Sequence, residues 1–495
     1  MRYLRTVRVA LAWLFFVAVT LLLLDFSGVL SRYVGWTAKL QFLPAVLALD
    51  VVALAATLVA TLVLGRVYCS VVCPLGVMQD ACSHVGGWIW KRRYRYVRNR
   101  AWLRWGVVVA VVALFAAGLG AAASLLAPYS AYGRMVSAFL QPLYVGVNNL
   151  FADWAAQHDS YLFRHVDRMA VTTAVMVVAC ATLLVVAAMS VRWGRAWCNN
   201  VCPVGTLLGW VGKHSLLWVS IDAEKCVKCR RCETGCKSQC IHIDTLRIDH
   251  SRCVACMDCV ALCPTQAIAY GRRAPRQENA HPGNAVDDGR RRFLATAALT
   301  VGVAAAQARR KRLRGALALM EDRREPPRRL PLKPAGSQGL QRFSRHCTAC
   351  QLCVSHCPNG VLRPSTRLEA LMQPEMGFEK GYCRPECVAC GHACPTGAIR
   401  PVSPAEKSAI QVGVAVYVPA NCVVNTDGVS CGHCASHCPT GAIILVPKDA
   451  SDPSSRLVPS VNESLCIGCG ACEHLCPARP SGAIYVEGKE RHTER

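Results

Sequence analysis

The chain has 495 residues, a formal charge of +25 and 31 cysteines. That length allows about three domains, and cysteines this numerous and this clustered imply cofactors rather than a disulfide framework. The basic residues lie beside apolar segments and cysteine runs, not in one basic domain with an aromatic platform, which argues against a nucleic-acid binder. The formal charge leaves out bound anionic groups, which would offset part of it.

Apolar residues make up 53% of the chain and concentrate in its first 190 positions. MRYLRTVR leads into an apolar run reaching Leu30, too long for a signal-peptide core, and reads as a retained helix. Runs at 40–64, 105–127 and 169–190 are also long enough, at about 1.5 Å per residue, to span ~30 Å of hydrocarbon. The expectation is an α-helical membrane bundle of four transmembrane helices over 1–220. Arginine and lysine crowd the 65–104 loop, so both ends of this bundle should face the cytoplasm. The 128–167 loop, with Tyr129, Tyr132, Tyr144 and Trp154, should lie outside against the membrane surface. No histidine falls in the four runs and no Cys-x-x-Cys-His occurs, which argues against b- and c-type haem. Asp50 falls inside the second run, where a carboxylate either serves quinol protons or bonds a neighbouring helix.

Two segments repeat: GRVYCSVVCPLG at 65–76 and GRAWCNNVCPVG at 194–205. Neither has enough ligands for a cluster, but together they have four. Cys69, Cys73, Cys198 and Cys202 are expected to converge on a shared redox centre, with Arg66 and Arg195 offsetting its charge. The alternative is a pair of helix-ending turns in which proline and glycine matter more than the thiols.

At 221–273 the cysteines are spaced for cubane clusters. Three in Cys-x-x-Cys-x-x-Cys wrap one cube, and a fourth, further on, ligates the other. Cys226, Cys229, Cys232 and Cys263 would hold one [4Fe–4S] centre, and Cys253, Cys256, Cys259 and Cys236 the second. Zinc favours paired ligands, and scattered disulfides would not need this spacing. Lys237 stands where proline usually follows the fourth cysteine, and Cys240 could replace Cys236. Four helices, two Cys-x-x-x-Cys-Pro motifs and a two-cluster ferredoxin resemble the NapH/MauN-type membrane ferredoxins of nitrate reductase and methylamine dehydrogenase systems. Over 1–273 that resemblance implies passage of electrons between the quinone pool and redox proteins.

Residues 274–340 read as a linker. Within it, GRRRFLATAALTVGVAAAQA from Gly289 is similar to a twin-arginine export signal, which suits a domain that must cross already folded around its clusters. RRKRLR at 309–314 resists crossing, so a short cytoplasmic helix is the alternative.

The last domain, 341–495, has four cysteine groups: Cys347, Cys350, Cys353 and Cys357; Cys383, Cys387, Cys390 and Cys394; Cys422, Cys431, Cys434 and Cys438; Cys466, Cys469, Cys472 and Cys476. Sixteen ligands make four cubanes, six in the whole chain. The expected folds are α+β bacterial-type ferredoxin domains held mainly by their clusters. The irregular second and third groups resemble the NapG/MauM-type four-cluster ferredoxins. That resemblance implies that groups two and three share ligands, as do groups one and four.

No phosphate loop, dinucleotide fingerprint or covalent flavin motif is present. The expected function is a relay subunit of the bacterial inner membrane, not a complete enzyme, with the first ferredoxin cytoplasmic and the second periplasmic. Its electrons would pass between quinone or a cytoplasmic donor and a partner such as a reductase, cytochrome or dehydrogenase. The alternative is a redox-sensing or maturation accessory protein.

Overall fold

In the computed structural model, residues 2–25, 28–90, 94–158, 165–166, 173–272, 324–449, 451–452 and 455–494 are described. The twin-arginine-like segment and the basic run after it lie outside them.

Helix α1 (Arg2–Leu24) is a long apolar helix. It stops at Asp25, whose carboxylate turns back to accept the backbone N–H groups of Gly28 (3.0 Å) and Ser31 (3.2 Å). Three short helices follow at Val29–Val34, Trp36–Lys39 and Phe42–Ala48 before α2 (Val51–Leu64).

The expected continuous span at 40–64 is therefore interrupted. Leu49 adopts φ 55°, in the left-handed region, and this breaks the helical ladder. Asp50 restarts it as an N-cap, accepting from Ala53 N at 3.1 Å. Asp50 thus caps a helix instead of sitting within one, and its carboxylate is occupied by the backbone of its own chain segment.

Beyond α3 (Pro74–Trp90), the run at 105–127 is broken in the same way. Helix α4 (Ala101–Ala116) ends before Gly118, at φ 81°, and α5 (Gly120–Leu126) begins anew. Among the described residues, only Tyr3–Leu24 and Val175–Trp193 are long and apolar enough to cross a membrane. Val51–Leu64 and Ala101–Ala116 are apolar but shorter.

The 128–156 stretch is helical: α6 (Pro128–Met135), a π-turn at Val136–Leu140 and α7 (Gln141–Ala156). Leu143, Val147, Leu150, Phe151 and Trp154 are exposed along α7 at helical spacing and form one apolar stripe. Helices α8 (Thr173–Trp193) and α9 (Pro203–Gly212) complete this half.

The first ferredoxin closes on itself. Leu217–Ile221 pairs antiparallel with Ile268–Arg272, and a hairpin, Ile241–His242 with Arg247–Ile248, lies between. In the tail, Ile410–Tyr417 pairs antiparallel with Ile484–Glu494, enclosing the hairpin Ile443–Pro447 with Leu457–Val461. A further hairpin, Leu362–Pro364 with Pro374–Met376, belongs to the first half of the tail. Residues 324–340, counted as linker from the sequence, pack into the tail. Leu332 and Lys333 are buried, Lys333 Nζ donates to Pro374 O (3.1 Å), and Arg328 Nε donates to Val486 O (2.9 Å).

The two ferredoxin regions meet opposite ends of α1. Near its start, Arg5 Nε contacts Asp258 of the first ferredoxin at 2.8 Å. Just past its end, Asp25 faces His356 Nε2 of the tail at 3.8 Å, both side chains being 3% exposed. Twenty helical residues separate the two points, about 30 Å. One buried core runs between them, from Val254 through Tyr68, Cys73, Leu75 and Tyr132 to Cys350 and Leu352.

Candidate metal centres

The ferredoxin loops are built alike. In the runs starting at Cys226, Cys253, Cys347 and Cys466, the second and fourth residues after the first cysteine have positive φ. They are Lys228 and Arg230, Ala255 and Met257, Ala349 and Gln351, and Gly468 and Gly470. For a non-glycine residue this conformation is unfavourable and persists only where the surroundings impose it. It turns successive backbone N–H groups to one side, making a concavity that favours an anion.

Cavities sit inside these loops. Cys226, Cys229, Cys232 and Cys263 line one. Cys253, Cys256 and Cys259 line another, together with Cys236 and Cys240. Among the described residues, no three His, Cys, Asp or Glu side chains close around a single metal ion. The rings of thiols, the backbone donors and the room inside fit a larger anionic iron–sulfur group. When bound, such a group would supply reversible one-electron oxidation and reduction.

The tail does not pair its groups as the resemblance implied. Cys357 of group one joins Cys383, Cys387 and Cys390 of group two around one cavity. Cys438 of group three joins Cys466, Cys469 and Cys472 of group four around another. Cys394 acts electrostatically on Cys347, Cys350 and Cys353, and Cys476 on Cys434 beside Cys431, with Cys422 in the same core. Groups one and two therefore interlock, as do three and four. The reason is local: each adjacent pair is joined by its own hairpin, which folds the fourth cysteine of one group back onto the other.

Cys236 stands where the fourth cysteines other than Cys476 stand. Three residues after Cys236, Cys263, Cys357, Cys394 and Cys438 comes a residue of positive φ: Gln239, Gln266, Gly360, Gly397 and Gly441. Cys240 is an extra buried thiol whose Sγ lies 3.6 Å from that of Cys236. Replacing Cys236 with serine should lower iron content by one cluster, whereas Cys240→Ser should leave it unchanged; iron and sulfide analysis of the anaerobically purified variants checks this.

The lysine in place of proline also acquires a role. Lys237 Nζ reaches Asp80 (3.0 Å) on α3 and Asp258 (2.9 Å). Asp80 in turn takes Arg8 and Arg195, each at 2.6 Å. Arg195 N donates to Lys237 O (2.9 Å) and Asn199 Nδ2 to Ser238 O (3.2 Å). A proline here would remove the charge that fastens the ferredoxin to the helices. Nothing in the local sequence signals this, because Asp80 is remote in the chain.

The repeated motifs do come together. Cys69, Cys73, Cys198 and Cys202 are each 3–4% exposed. Burial first, then neighbouring thiols, opposes ionisation of two of them: Cys198 and Cys69 act on Cys73, and Cys198, Cys73 and Cys69 act on Cys202. Each arginine serves the other copy. Arg195 Nη1 donates to Cys69 O (2.6 Å), and Arg66 Nη1 donates to Asn199 Oδ1 (3.1 Å). The glycines allow it: a Cβ on Gly76 would stand 2.3 Å from Cys69 O, and one on Gly205 2.2 Å from Cys198 O. Arg66 also links the quartet to the ferredoxin, with Nη2 at 3.8 Å from Cys69 Sγ and Nη1 donating to Ser251 O (2.9 Å), two residues before Cys253. Gln79 Nε2 and Gly205 N each approach a thiol, Cys198 and Cys202, at 3.3 Å. Charge, donors and four sulfurs suit an anionic centre.

Comparison with known proteins agrees with this chemistry. A family described as "4Fe-4S binding domain" matches residues 48–93 and 173–221, the segments carrying both repeated motifs. A "4Fe-4S dicluster domain" matches 428–483, across groups three and four, and a further "4Fe-4S binding domain" matches 246–269. The ferredoxin-type protein NapF of Escherichia coli (strain K12) is 30% identical over 155 residues, 31% of this chain and 85% of that protein. The methylamine utilization ferredoxin-type protein MauM of Paracoccus denitrificans (strain Pd 1222) is 34% identical over 196 residues, 38% of this chain and 82% of that protein. The putative electron transport protein YccM of Escherichia coli (strain K12) is 29% identical over 207 residues, 41% of this chain and 50% of that protein. No solved structure matches the chain. With cysteine loops shaped for iron–sulfur groups and relatives of this kind, the chain belongs to the family of ferredoxin-type [4Fe–4S] proteins.

Proposed function

We propose that this protein is a membrane-anchored polyferredoxin that carries electrons singly through six [4Fe–4S] clusters and a seventh centre at the Cys69, Cys73, Cys198 and Cys202 quartet. Its domains combine a NapH/MauN-type membrane ferredoxin with a NapG/MauM-type tail. Helices α1 and α8 cross the membrane. Two broken spans, Phe42–Ala48 with Val51–Leu64 and Ala101–Ala116 with Gly120–Leu126, cross beside them. The first ferredoxin lies in the cytoplasm and the tail in the periplasm, exported through the twin-arginine-like segment. Quinol or a cytoplasmic donor stands at one end of the relay, and a reductase, cytochrome or dehydrogenase at the other.

The observation that carries this reading is α1 holding a ferredoxin at each end: Arg5 on Asp258, and Asp25 against His356. The buried core joining Val254 to Cys350 by way of Cys69, Cys73 and Cys202 supports a path for electrons along it. The relatives named for electron transport and for ferredoxin-type proteins support the chemistry.

Protease added to intact spheroplasts should cut the tail while sparing the first ferredoxin. A protected tail would end the transmembrane version. In proteoliposomes, quinol should reduce the clusters, and an added oxidised partner should discharge them. Clusters that reduce but never discharge would favour an accessory role.

A further inference from the structure

The tail loop that begins at Cys347 is pressed against α6. A Cβ on Gly133 would stand 2.4 Å from Cys350 O, and one on Gly120 only 2.1 Å from Ser344 O, so bundle and tail meet backbone to backbone. The same helix presents Tyr129, 2% exposed, and Arg134, fully buried.

Arg134 gives its Nη1 to Ser124 O (3.1 Å) and its Nη2 to Leu125 O (3.3 Å). Both acceptors are neutral carbonyls, and among the described residues no carboxylate pairs with this guanidinium. Its Nε and the Tyr129 hydroxyl, both buried, have no hydrogen-bond partner among those residues. A buried cation without a counter-anion is costly, and buried donors without acceptors are rare. The nearby groups that would be anionic are thiols of the loop: Cys350 acts on Arg134, and Cys350 with Cys394 on Tyr129. A cluster held by Cys347, Cys350, Cys353 and Cys394 would supply both the missing charge and the missing acceptors.

We propose that Tyr129 and Arg134, residues of the membrane half, are positioning and tuning groups for this tail cluster and raise its reduction potential. A fixed positive charge and an O–H donor close to the sulfurs would favour the more negative, reduced state. The cluster lying against the bundle is thereby made the electron-collecting station of the tail, and it acquires that property only when the two halves are docked. The inference rests on the iron–sulfur reading of the tail but not on the side of the membrane the tail occupies.

The test is a potentiometric titration, followed by low-temperature paramagnetic resonance, of the full chain purified without oxygen. Tyr129→Phe and Arg134→Met should each move one cluster signal to lower potential, leaving the others and the iron content unchanged. Arg134→Lys should restore most of the shift, and Arg32→Met, at an exposed site, should move nothing. Cys353→Ser should abolish the signal that shifts. Unchanged midpoints in both variants at full iron content would overturn the proposal. Should Arg134→Met lose iron, Tyr129→Phe decides, since it removes a single oxygen. A cytoplasmic tail that still shows the shift would refute the transmembrane relay and leave this inference standing.

Discussion

Gly133→Val should uncouple the tail from the N-terminal helical half while leaving both loaded with iron. The added side chain would have to occupy space now held by the Cys350 carbonyl, 2.4 Å from the ideal Cβ. That contact is backbone against backbone, so no rotamer change relieves it. Overpacking costs about 1–3 kcal/mol, which lowers the docking equilibrium constant by roughly fivefold to over a hundredfold. On the proposed relay, quinol-driven reduction of the tail clusters should fall, while reduction by dithionite is unaffected. Gly87→Ala, where a Cβ meets nothing within 4 Å, is the control. Wild-type rates with Gly133→Val would show that electrons do not pass by way of this contact.

Asp80→Asn should have the largest effect on the other interface. One carboxylate there serves Arg8, Arg195 and Lys237, and its side chain is only 14% exposed. Removing one partner of a buried charge set costs about 3–5 kcal/mol, because the cations remain without compensation. The thermal midpoint in detergent should drop, and protease should reach the 236–240 loop.

The pH dependence has a definite sign. Burial by itself would raise the Asp80 carboxyl, but Arg195, Lys237 and Arg8 overcome it and hold the group far below the usual carboxylate range. A carboxylate lowered in the folded state contributes stability above about pH 4 that is lost only as the pH falls through its folded value. The wild-type protein should therefore keep this docking at pH 5 and lose it in stronger acid. The Asp80→Asn variant should lack that acid-dependent step. Lys237→Pro, which installs the residue common in ferredoxins, should retain both clusters of the first ferredoxin and weaken its attachment to α3.

Removing the clusters should separate what metal holds from what packing holds. The tail cores are built around thiols such as Cys347, Cys353, Cys466 and Cys472. Where folding depends on bound metal, chelation unfolds the domain. Oxidative cluster loss followed by a chelator should abolish protease resistance in the tail and the first ferredoxin, while circular dichroism retains the α1 and α8 helices.

The amino-acid sequence by itself determined the local chemistry. Cysteine spacing within each run is a property of a few residues, so the loops around Cys226, Cys253, Cys347 and Cys466 were legible, as was the repeat that brings Arg66 and Arg195 to the four thiols. Composition exposed the apolar helices but not their breaks: the left-handed turn at Leu49 and the cap at Asp50 lie inside a run that reads as uniformly apolar. The interlocking of groups one with two and three with four depended on hairpins between them, and resemblance pointed elsewhere. Lys237 on Asp80, Asp25 against His356 and Gly133 under Cys350 join residues far apart in the chain. Such contacts are set by how whole elements pack and by which buried charge must find an opposite, and neither is written in the spacing of neighbouring residues.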